Sequence, residues 1–199
     1  SGRLWSSVNP RLDDLMYSLG EQCGKITQTL LGFEHPYAAR PFDWNMAQAA
    51  WTYQHWDLFD EEQKACLTYF TNQFEAFQPA YNQLRKSVIH NDANDNNIVV
   101  SDDLIDPSVK AVIDYGDAVY CPTINDLAVA LAYSIMEKPD PLAVALPLIA
   151  GYHHSFPLKE EELSMLYTLV AMRLVISVTK SAINKIKEPD NTYLLISEK

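Results

Sequence analysis

Three short β-rich runs lie in the middle of a chain whose two flanking parts have helical periodicity. The runs are 87–89, 97–100 and 109–113, and clusters of polar turn residues separate them. On both sides, apolar residues recur at spacings of three and four, which is the pattern of amphipathic helices. We therefore expect a mainly α domain of α+β class, in which a small β-insert carries polar loops. Chemistry would lie in those loops, because loops on a rigid scaffold commonly carry it.

Start and stop signals predict the bounds of the helices. Asp60 is a typical N-cap, Gly32 is a typical C-terminal stop, and Pro79 should kink or break the helix that contains it. We predict helices over 10–31, 43–59, 60–86 with a kink at 79, 123–136, 142–154, 158–178 and 180–187, followed by a break at 189–191.

The length of the chain, 199 residues, suits one domain with a sizeable core. We therefore treat 1–199 as a single domain. The first residues show no helical or strand pattern, and the chain starts with Ser-Gly rather than Met. Residues 1–8 are predicted to be a linker or a tag remnant.

The charge balance and the apolar pattern limit the classes of partner. The net charge is −11, from 26 acidic and 15 basic residues, which argues against a nucleic-acid partner and permits a cationic substrate. No signal-peptide pattern is present, and no uncharged apolar run reaches the roughly 18 residues of a membrane span. Three widely spaced cysteines predict reduced thiols rather than a disulfide framework. We expect a cytoplasmic protein without a membrane segment.

Two polar motifs follow the β-runs and supply the residue types that phosphoryl transfer needs. From Val88 the chain reads V-I-H-N-D-A-N-D-N-N-I-V-V, and from Val112 it reads V-I-D-Y-G-D. One carboxylate must accept or orient the proton of an attacking hydroxyl, and an amide and a second carboxylate must hold Mg²⁺ against phosphates. We assign Asp92 as the catalytic carboxylate and Asn97 and Asp114 as metal ligands. The alternative for Asp92 is a turn residue that bonds its own backbone.

Three further polar residues have structural interpretations. His90 ends a strand and is predicted to brace the loop backbone. Asp117 is either an assistant to a second metal or a structural residue. Asp126 opens a helix, where a carboxylate interacts favourably with the helix dipole; alternatively, it accepts hydrogen bonds from the loop that carries Asp92.

Substrate contacts are not defined by any motif. Arg40 lies in the loop H-P-Y-A-A-R-P, where it is a surface ion-pair residue or a ligand for an anionic group. Trp44 follows that loop and is either a core residue or part of a binding surface. Both are secondary candidates for substrate binding.

The order H-N-D-x-x-x-x-N and then I-D-Y-G-D resembles the aminoglycoside phosphotransferase/choline kinase-like family, whose fold is protein-kinase-like. The usual family pattern is H-G-D-x-x-x-x-N and I-D-x-x-D, so Asn91 stands where Gly is common; Asn tolerates a positive φ better than most residues do. Two longer segments resemble the hydroxylysine kinase-like subgroup: F-E-H-P-Y-A-A-R-P-F-D-W-N and D-Y-G-D-A-V-Y-C-P-T-I-N-D-L-A-V-A-L-A-Y.

The resemblance implies an ATP- and Mg²⁺-dependent kinase acting on a hydroxyl of a small amino alcohol or hydroxylated amino acid. Asp92 matches the catalytic aspartate, Asn97 and Asp114 match the Mg²⁺ ligands, and Asp126 matches the carboxylate that braces the catalytic loop. Two alternatives stay open. One is an aminoglycoside-type phosphotransferase, and the other is a kinase-like binding module without activity.

The resemblance covers only the carboxy-terminal lobe of that family. Nothing before Asp92 has the glycine-rich hairpin or the V-A-x-K strand of a nucleotide-binding lobe. We therefore expect an amino-terminal lobe to be the missing partner and the chain by itself to be inactive. Because the subgroup includes kinase-like domains fused to class III aminotransferases, such a domain is a further candidate partner.

Overall fold

The β-insert forms two small antiparallel sheets in the computed structural model, which describes residues 2–188. One sheet has the strand order β1-β3-β4, and in the other β2 pairs with β5. The strands are β1 (Arg3–Leu4), β2 (Lys86–Ile89), β3 (Ile98–Val100), β4 (Val109–Val112) and β5 (Val119–Pro122).

Helices make up most of the described chain, which confirms the predicted mainly α fold with a small β-insert. Short 3₁₀ segments lie at 5–7, 36–39, 46–58 and 115–117. The α-helices are α1 (Asp13–Leu30), α2 (Glu61–Tyr81), α3 (Ile124–Ile135), α4 (Pro141–Ser155) and α5 (Glu160–Lys187).

The segment 43–59 differs from its prediction as a helix. It forms a 3₁₀ segment, Met46–Leu58, with a non-helical residue at Gln48 (φ −116°, ψ 15°). Its N-cap is Asn45, whose side-chain oxygen accepts the N–H of Ala47 (3.1 Å). Tryptophans of the segment pack against the core, and this tertiary packing outweighs the weak preference of the local sequence for an α-helix.

Other bounds also differ from the predictions. The helix begun at Asp60 ends at Tyr81, in the turn that contains Pro79, and does not reach Lys86, which starts β2. Helices predicted over 158–178 and 180–187 are one continuous helix, α5. The break at 189–191 lies outside the described residues.

Strands β1 and β5 were not predicted, and each pairs with a strand that is distant in sequence. Residues 1–8 were expected to be a linker or a tag remnant, yet Arg3 and Leu4 pair with Val100 and Val99, and the Trp5 side chain is fully buried. β5 pairs with β2 along four residues. The beginning of the described chain is thus held against the domain.

The α5 helix is long and apolar enough to cross a membrane when only length and mean hydropathy are considered. However, 67% of its most apolar window is buried inside the fold. Since a core helix passes the same test, the burial supports a core role for α5 and gives no support for a membrane span.

Glycines bring α1 and α4 unusually close together. A Cβ atom added to Gly20 would lie 1.9 Å from the carbonyl oxygen of Leu148, and one added to Gly151 would lie 2.0 Å from that of Tyr17. Real Cβ atoms do not approach backbone atoms this closely. The absence of side chains at these positions therefore sets the spacing of the two helices.

This close packing places a chain of buried hydrogen bonds under the polar loops. Tyr152 of α4 donates its hydroxyl to Thr27 of α1 (2.9 Å), and Thr27 donates to Oδ2 of Asp126 on α3 (3.3 Å). Asp126 Oδ1 accepts the backbone N–H of Asn91 (2.9 Å). Three helices therefore hold the backbone that leads into Asp92.

We expect Gly151→Ala to destabilise the protein by about 1–3 kcal/mol, because the new methyl group must force α1 and α4 apart. This predicted loss of stability has the opposite sign to helix propensity, because Ala is favoured over Gly in a helix by about 1 kcal/mol. Urea denaturation measures the free energy of unfolding. Ala150→Ser, on the exposed side of the same helix, is the control and should change stability little.

We expect Asp126→Asn to cost about 1–3 kcal/mol, because one acceptor oxygen becomes an N–H donor among buried donors. Urea denaturation again supplies the measurement. Asp103→Asn is a matched control: Asp103 Oδ1 accepts the N–H groups of Ile105 (2.8 Å) and Asp106 (3.0 Å), but Asp103 is exposed. Equal losses in the two variants would contradict a special role for the buried carboxylate.

Candidate active site

The strand register brings the two polar motifs to the same end of the β3–β4 hairpin. Ile98 pairs with Val112, and the N–H of Ile113 donates to the carbonyl oxygen of Asn97 (2.8 Å). Asn97 therefore lies opposite Ile113, and Asp114 is the next residue along the chain. Backbone pairing thus places Asn97 opposite the residue that precedes Asp114.

The Asp92 carboxylate is held by two amides of its own loop. Asn97 donates Nδ2–H bonds to Asp92 Oδ2 (2.7 Å) and to the Asp92 carbonyl oxygen (3.0 Å). Asn94 donates to Asp92 Oδ1 (3.0 Å). These bonds use the nitrogen of Asn97, so its side-chain oxygen is the atom able to ligate a cation.

His90 braces the loop through both ring nitrogens. Its Nδ1 accepts the N–H of Asp92 (3.1 Å), which requires the neutral ring to carry its proton on Nε2. That Nε2–H then donates to the carbonyl oxygen of Ile113 (3.0 Å). The ring also packs edge-on against Tyr115, with centroids 4.6 Å apart. His90 thereby links the loop of Asp92 to the loop of Asp114.

Two residues of these loops adopt left-handed backbone conformations. Asn91 has φ +66° and Asp114 has φ +65°. Asn and Asp tolerate this region better than other residues with a Cβ atom. Asn91 can therefore stand where Gly is usual in the family that this sequence resembles. Asp114 is exposed, and its Oδ1 accepts the N–H of Gly116 (3.1 Å).

Burial raises the pKa of Asp92, and the charge of Arg173 and the hydrogen bond from Asn94 act in the opposite direction. Asp117 and His90 also face Asp92 electrostatically. Burial likewise raises the pKa of Asp117, again opposed by Arg173 and also by Arg40. A carboxylate with a raised pKa is a stronger proton acceptor while it remains ionised.

Asp92 and Asp117 lie on the wall of a cavity of about 690 Å³. The cavity lining does not include Asn97 or Asp114. A volume of this size is in the range of small-molecule sites. Charged groups of both signs line the same cavity: Arg11, Asp95, Glu137, Lys138 and Lys180.

The donor set fits a Mg²⁺ ion that is shared with phosphate groups. Within residues 2–188, no three His, Cys, Asp or Glu side chains come together as a complete protein cage for a metal. Mg²⁺ commonly uses one or two protein oxygens together with substrate phosphates. The side-chain oxygen of Asn97 and the exposed carboxylate of Asp114 are hard ligands of that kind.

The two secondary substrate candidates have different surroundings. Arg40 donates to the carbonyl oxygens of Ala118 (2.7 Å) and Gly116 (2.9 Å), so its guanidinium stabilises the loop that follows Asp114. Trp44 lines the cavity. Only Trp44 is thus placed where it can contact a substrate in this structure.

Sequence reasoning missed Arg173, which the structure places beside Asp92. Arg173 lies on α5 with 1% of its side chain exposed, and its Nη2 is 3.4 Å from Asp92 Oδ1. The signal was a single charged residue within the apolar run M-R-L-V-I. A charge is rarely buried without a partner, but the sequence did not indicate which carboxylate that partner is.

Comparison with known proteins identifies the family of the chain. The model of the phosphotransferase enzyme family (APH) matches residues 2–163. Hydroxylysine kinases of Danio rerio and Xenopus laevis are each 28% identical to the chain, and the matches cover 93% and 94% of it. The chain spans about half the length of these relatives, 54% of each.

Solved structures show the same fold. An amicoumacin kinase, in complex with AMP-PNP, Ca²⁺ and Ami, superposes with a TM-score of 0.67 at 15% identity, covering 98% of this chain and 60% of the other. An AMP-bound spectinomycin phosphotransferase gives 0.61 at 13% identity, with coverages of 98% and 65%. The resemblance inferred from the two motifs is thereby confirmed, and the chain belongs to the phosphotransferase enzyme family.

Proposed function

We propose that the chain is the catalytic and acceptor-binding part of an ATP-dependent small-molecule kinase. The reaction would transfer the γ-phosphate of ATP to a hydroxyl of a small hydroxylated amino acid or amino alcohol. One observation carries this proposal: the Asp92 carboxylate lies on the wall of a cavity, and the Nδ2 of Asn97 donates a hydrogen bond to its Oδ2 over 2.7 Å.

Asp92 has the role of proton acceptor or orienting group for the acceptor hydroxyl. Its carboxylate faces a cavity that is large enough for a small acceptor. Asn94 and Asn97 each donate to one of its oxygens and so limit its rotation. A fixed carboxylate favours a reactive geometry, and its raised pKa makes it a better proton acceptor.

Asn97 and Asp114 are the proposed Mg²⁺ ligands. When bound, Mg²⁺ would neutralise the charge that develops on the phosphate oxygens during transfer. The nitrogen of Asn97 orients Asp92, so the same amide side chain can connect the proton acceptor with the metal. Asp117, at the cavity wall, is the candidate for assistance with a second metal.

One charged group of the cavity wall, the Lys138 ammonium, could complement an anionic group of the acceptor. Arg11 forms an ion pair with Asp95 (2.7 Å), and Lys180 forms one with Asp43. Within residues 2–188, the Lys138 ammonium forms no ion pair and no hydrogen bond, although Lys138 lines the same cavity. A substrate carboxylate would complement this ammonium, so we favour a hydroxylated amino acid. The names of the hydroxylysine kinases support the same class.

Two alternatives use the same fold. An aminoglycoside-type phosphotransferase would bind a polycation, which the net charge of −11 and the cavity carboxylates of Asp117 and Glu137 permit but the Lys138 ammonium disfavours. A kinase-like binding module would keep the fold without nucleotide binding. Isothermal titration of the full-length protein with Mg-ATP and a screen for ADP release separate these alternatives.

We further propose that activity depends on an amino-terminal nucleotide-binding lobe and that the chain alone is inactive. A fused aminotransferase domain is a second candidate partner, inferred only from the sequence resemblance. A cytoplasmic location without a nucleic-acid or membrane partner stays a prediction. Expression of the chain alone and with its natural flanking sequence, followed by ADP-release assays, tests the dependence on a second lobe.

In the full-length protein, we expect Asp92→Ala to reduce kcat by at least about 100-fold. Asp114→Asn should abolish Mg²⁺-dependent turnover with little change in melting temperature, because Asp114 is exposed. ADP release and thermal melting are the two measurements. Asp106→Asn, in the hairpin between β3 and β4, is the control and should leave both unchanged. Undiminished turnover of Asp92→Ala would contradict the proposed mechanism.

We expect Lys138→Gln to raise the KM for a hydroxylated amino acid by about 10-fold and to leave the KM of the corresponding amino alcohol nearly unchanged. Loss of one charge-assisted contact, of about 1.5–3 kcal/mol, accounts for an effect of this size. Steady-state kinetics with the two acceptors measure the difference. Lys110→Gln, at an exposed position of β4, is the control. Equal changes for both acceptors would exclude a carboxylate contact.

A further inference from the structure

Arg173 is a buried cation whose position is determined from several sides. Its guanidinium lies 4.5 Å from the ring centroid of Trp44 and 5.4 Å from that of Tyr133. Nη1 donates to the Trp44 carbonyl oxygen (3.3 Å), and Nε donates to the Tyr133 hydroxyl (3.3 Å). Two aromatic rings and two hydrogen bonds thus leave Nη2 with little freedom to move.

Nη2 is the part of Arg173 that reaches the proposed active site. It lies 3.4 Å from Asp92 Oδ1, and within residues 2–188 Asp92 is the carboxylate with which Arg173 forms an ion pair. Asp117 lies farther away and feels the charge of Arg173 electrostatically. A buried guanidinium is costly without a counter-charge, so Arg173 and Asp92 depend on each other.

The contact completes the restraint of the Asp92 carboxylate. Asn97 holds Oδ2, whereas Asn94 and Arg173 both face Oδ1. The two asparagines belong to the same loop as Asp92 and move with it. Arg173, in contrast, belongs to α5, so it is the contact that relates the carboxylate to the helical wall of the cavity. That wall also contains Ser177, Lys180, Ser181 and Asn184.

We propose that Arg173 is a positioning residue. It holds the Asp92 carboxylate in a fixed position relative to the α5 side chains that line the cavity. This inference rests on the proposed kinase function. Arg173 acts through Asp92 and does not bind the substrate itself, because its side chain is almost completely buried and is not part of the cavity lining.

The test uses Arg173→Gln and Arg173→Lys in the full-length protein. We expect Arg173→Gln to lower kcat by about 10- to 100-fold, because a displacement of about 1 Å can cost 100-fold. The KM of the acceptor should change by less than about threefold, because Arg173 is not part of the cavity lining and makes no direct substrate contact. Arg173→Lys keeps the charge but lacks the planar fork, so it should recover part of the lost kcat.

A double-mutant cycle separates action through Asp92 from a general loss of structure. In an Asp92→Asn background, Arg173→Gln should lower the residual kcat by less than about twofold, because groups that act as a unit are not additive. If Arg173→Gln does not fold, the same cycle is run with Arg173→Lys. Independent, multiplicative losses of kcat would overturn the proposal.

A second arginine that pairs with a carboxylate and stacks on an aromatic ring is the matched control. Arg85 forms a bidentate pair with buried Glu162 (2.7 and 2.8 Å) and stacks on Phe156 at 3.9 Å, away from the cavity lining. Arg85→Gln should lower the melting temperature without a selective loss of kcat. A fall in kcat as large as that of Arg173→Gln would show that both arginines are merely structural.

The proposal and the underlying function fail in different ways. If the wild-type protein phosphorylates no hydroxyl acceptor, the kinase function fails. In that case, non-additive changes of melting temperature in the Asp92–Arg173 cycle would still support the contact. If the wild-type protein is an active kinase and the kcat losses multiply independently, only the role of Arg173 is rejected.

Discussion

The carboxylate of Asp126 is the interaction on which the geometry of the candidate active site depends. Its Oδ1 accepts the backbone N–H of Asn91, and its Oδ2 accepts the hydroxyl of Thr27. Burial raises the pKa of Asp126, and these hydrogen bonds act against that shift. Because Asp126 is only 2% exposed, its hydrogen-bond donors come from the protein itself, and each is in place only when the surrounding elements pack in this arrangement. The packing of α1, α3 and α4 thereby determines where the backbone of Asp92 lies.

Two opposing electrostatic effects then meet at Asp92. Burial against a mainly helical domain disfavours its negative charge, whereas the side chains of Asn94, Asn97 and Arg173 favour it. A fully exposed carboxylate would be mobile and weakly basic, and a buried one without partners would be neutral. The observed combination keeps a carboxylate that is oriented and partly accessible. Such a group suits the acceptance of a proton from a bound hydroxyl.

The local motifs were predictable because their meaning depends on residue type and short spacing. Asp92 and Asn97 are five positions apart in one loop, and the amide contacts the carboxylate directly. The β-runs and most helices were recognisable from periodicity. Strands β1 and β5 were missed because their residues, R-L and V-Y-C-P, include at most one β-branched residue, whereas the predicted strands include at least two. The 3₁₀ segment at 46–58 was mistaken for an α-helix, since its packing outweighs its propensity.

The sequence by itself determined the fold class, the family resemblance and the order of the candidate catalytic and metal-binding residues. These properties follow from periodicity and from short motifs, which act over a few residues. Only the tertiary structure decided that Arg173 faces Asp92, that Arg40 is bonded to loop carbonyls and that Lys138 lines the cavity. Arg173 and Asp92 are 81 positions apart. Contacts over such separations depend on how helices pack, because burial and charge pairing are satisfied only after the whole chain has folded.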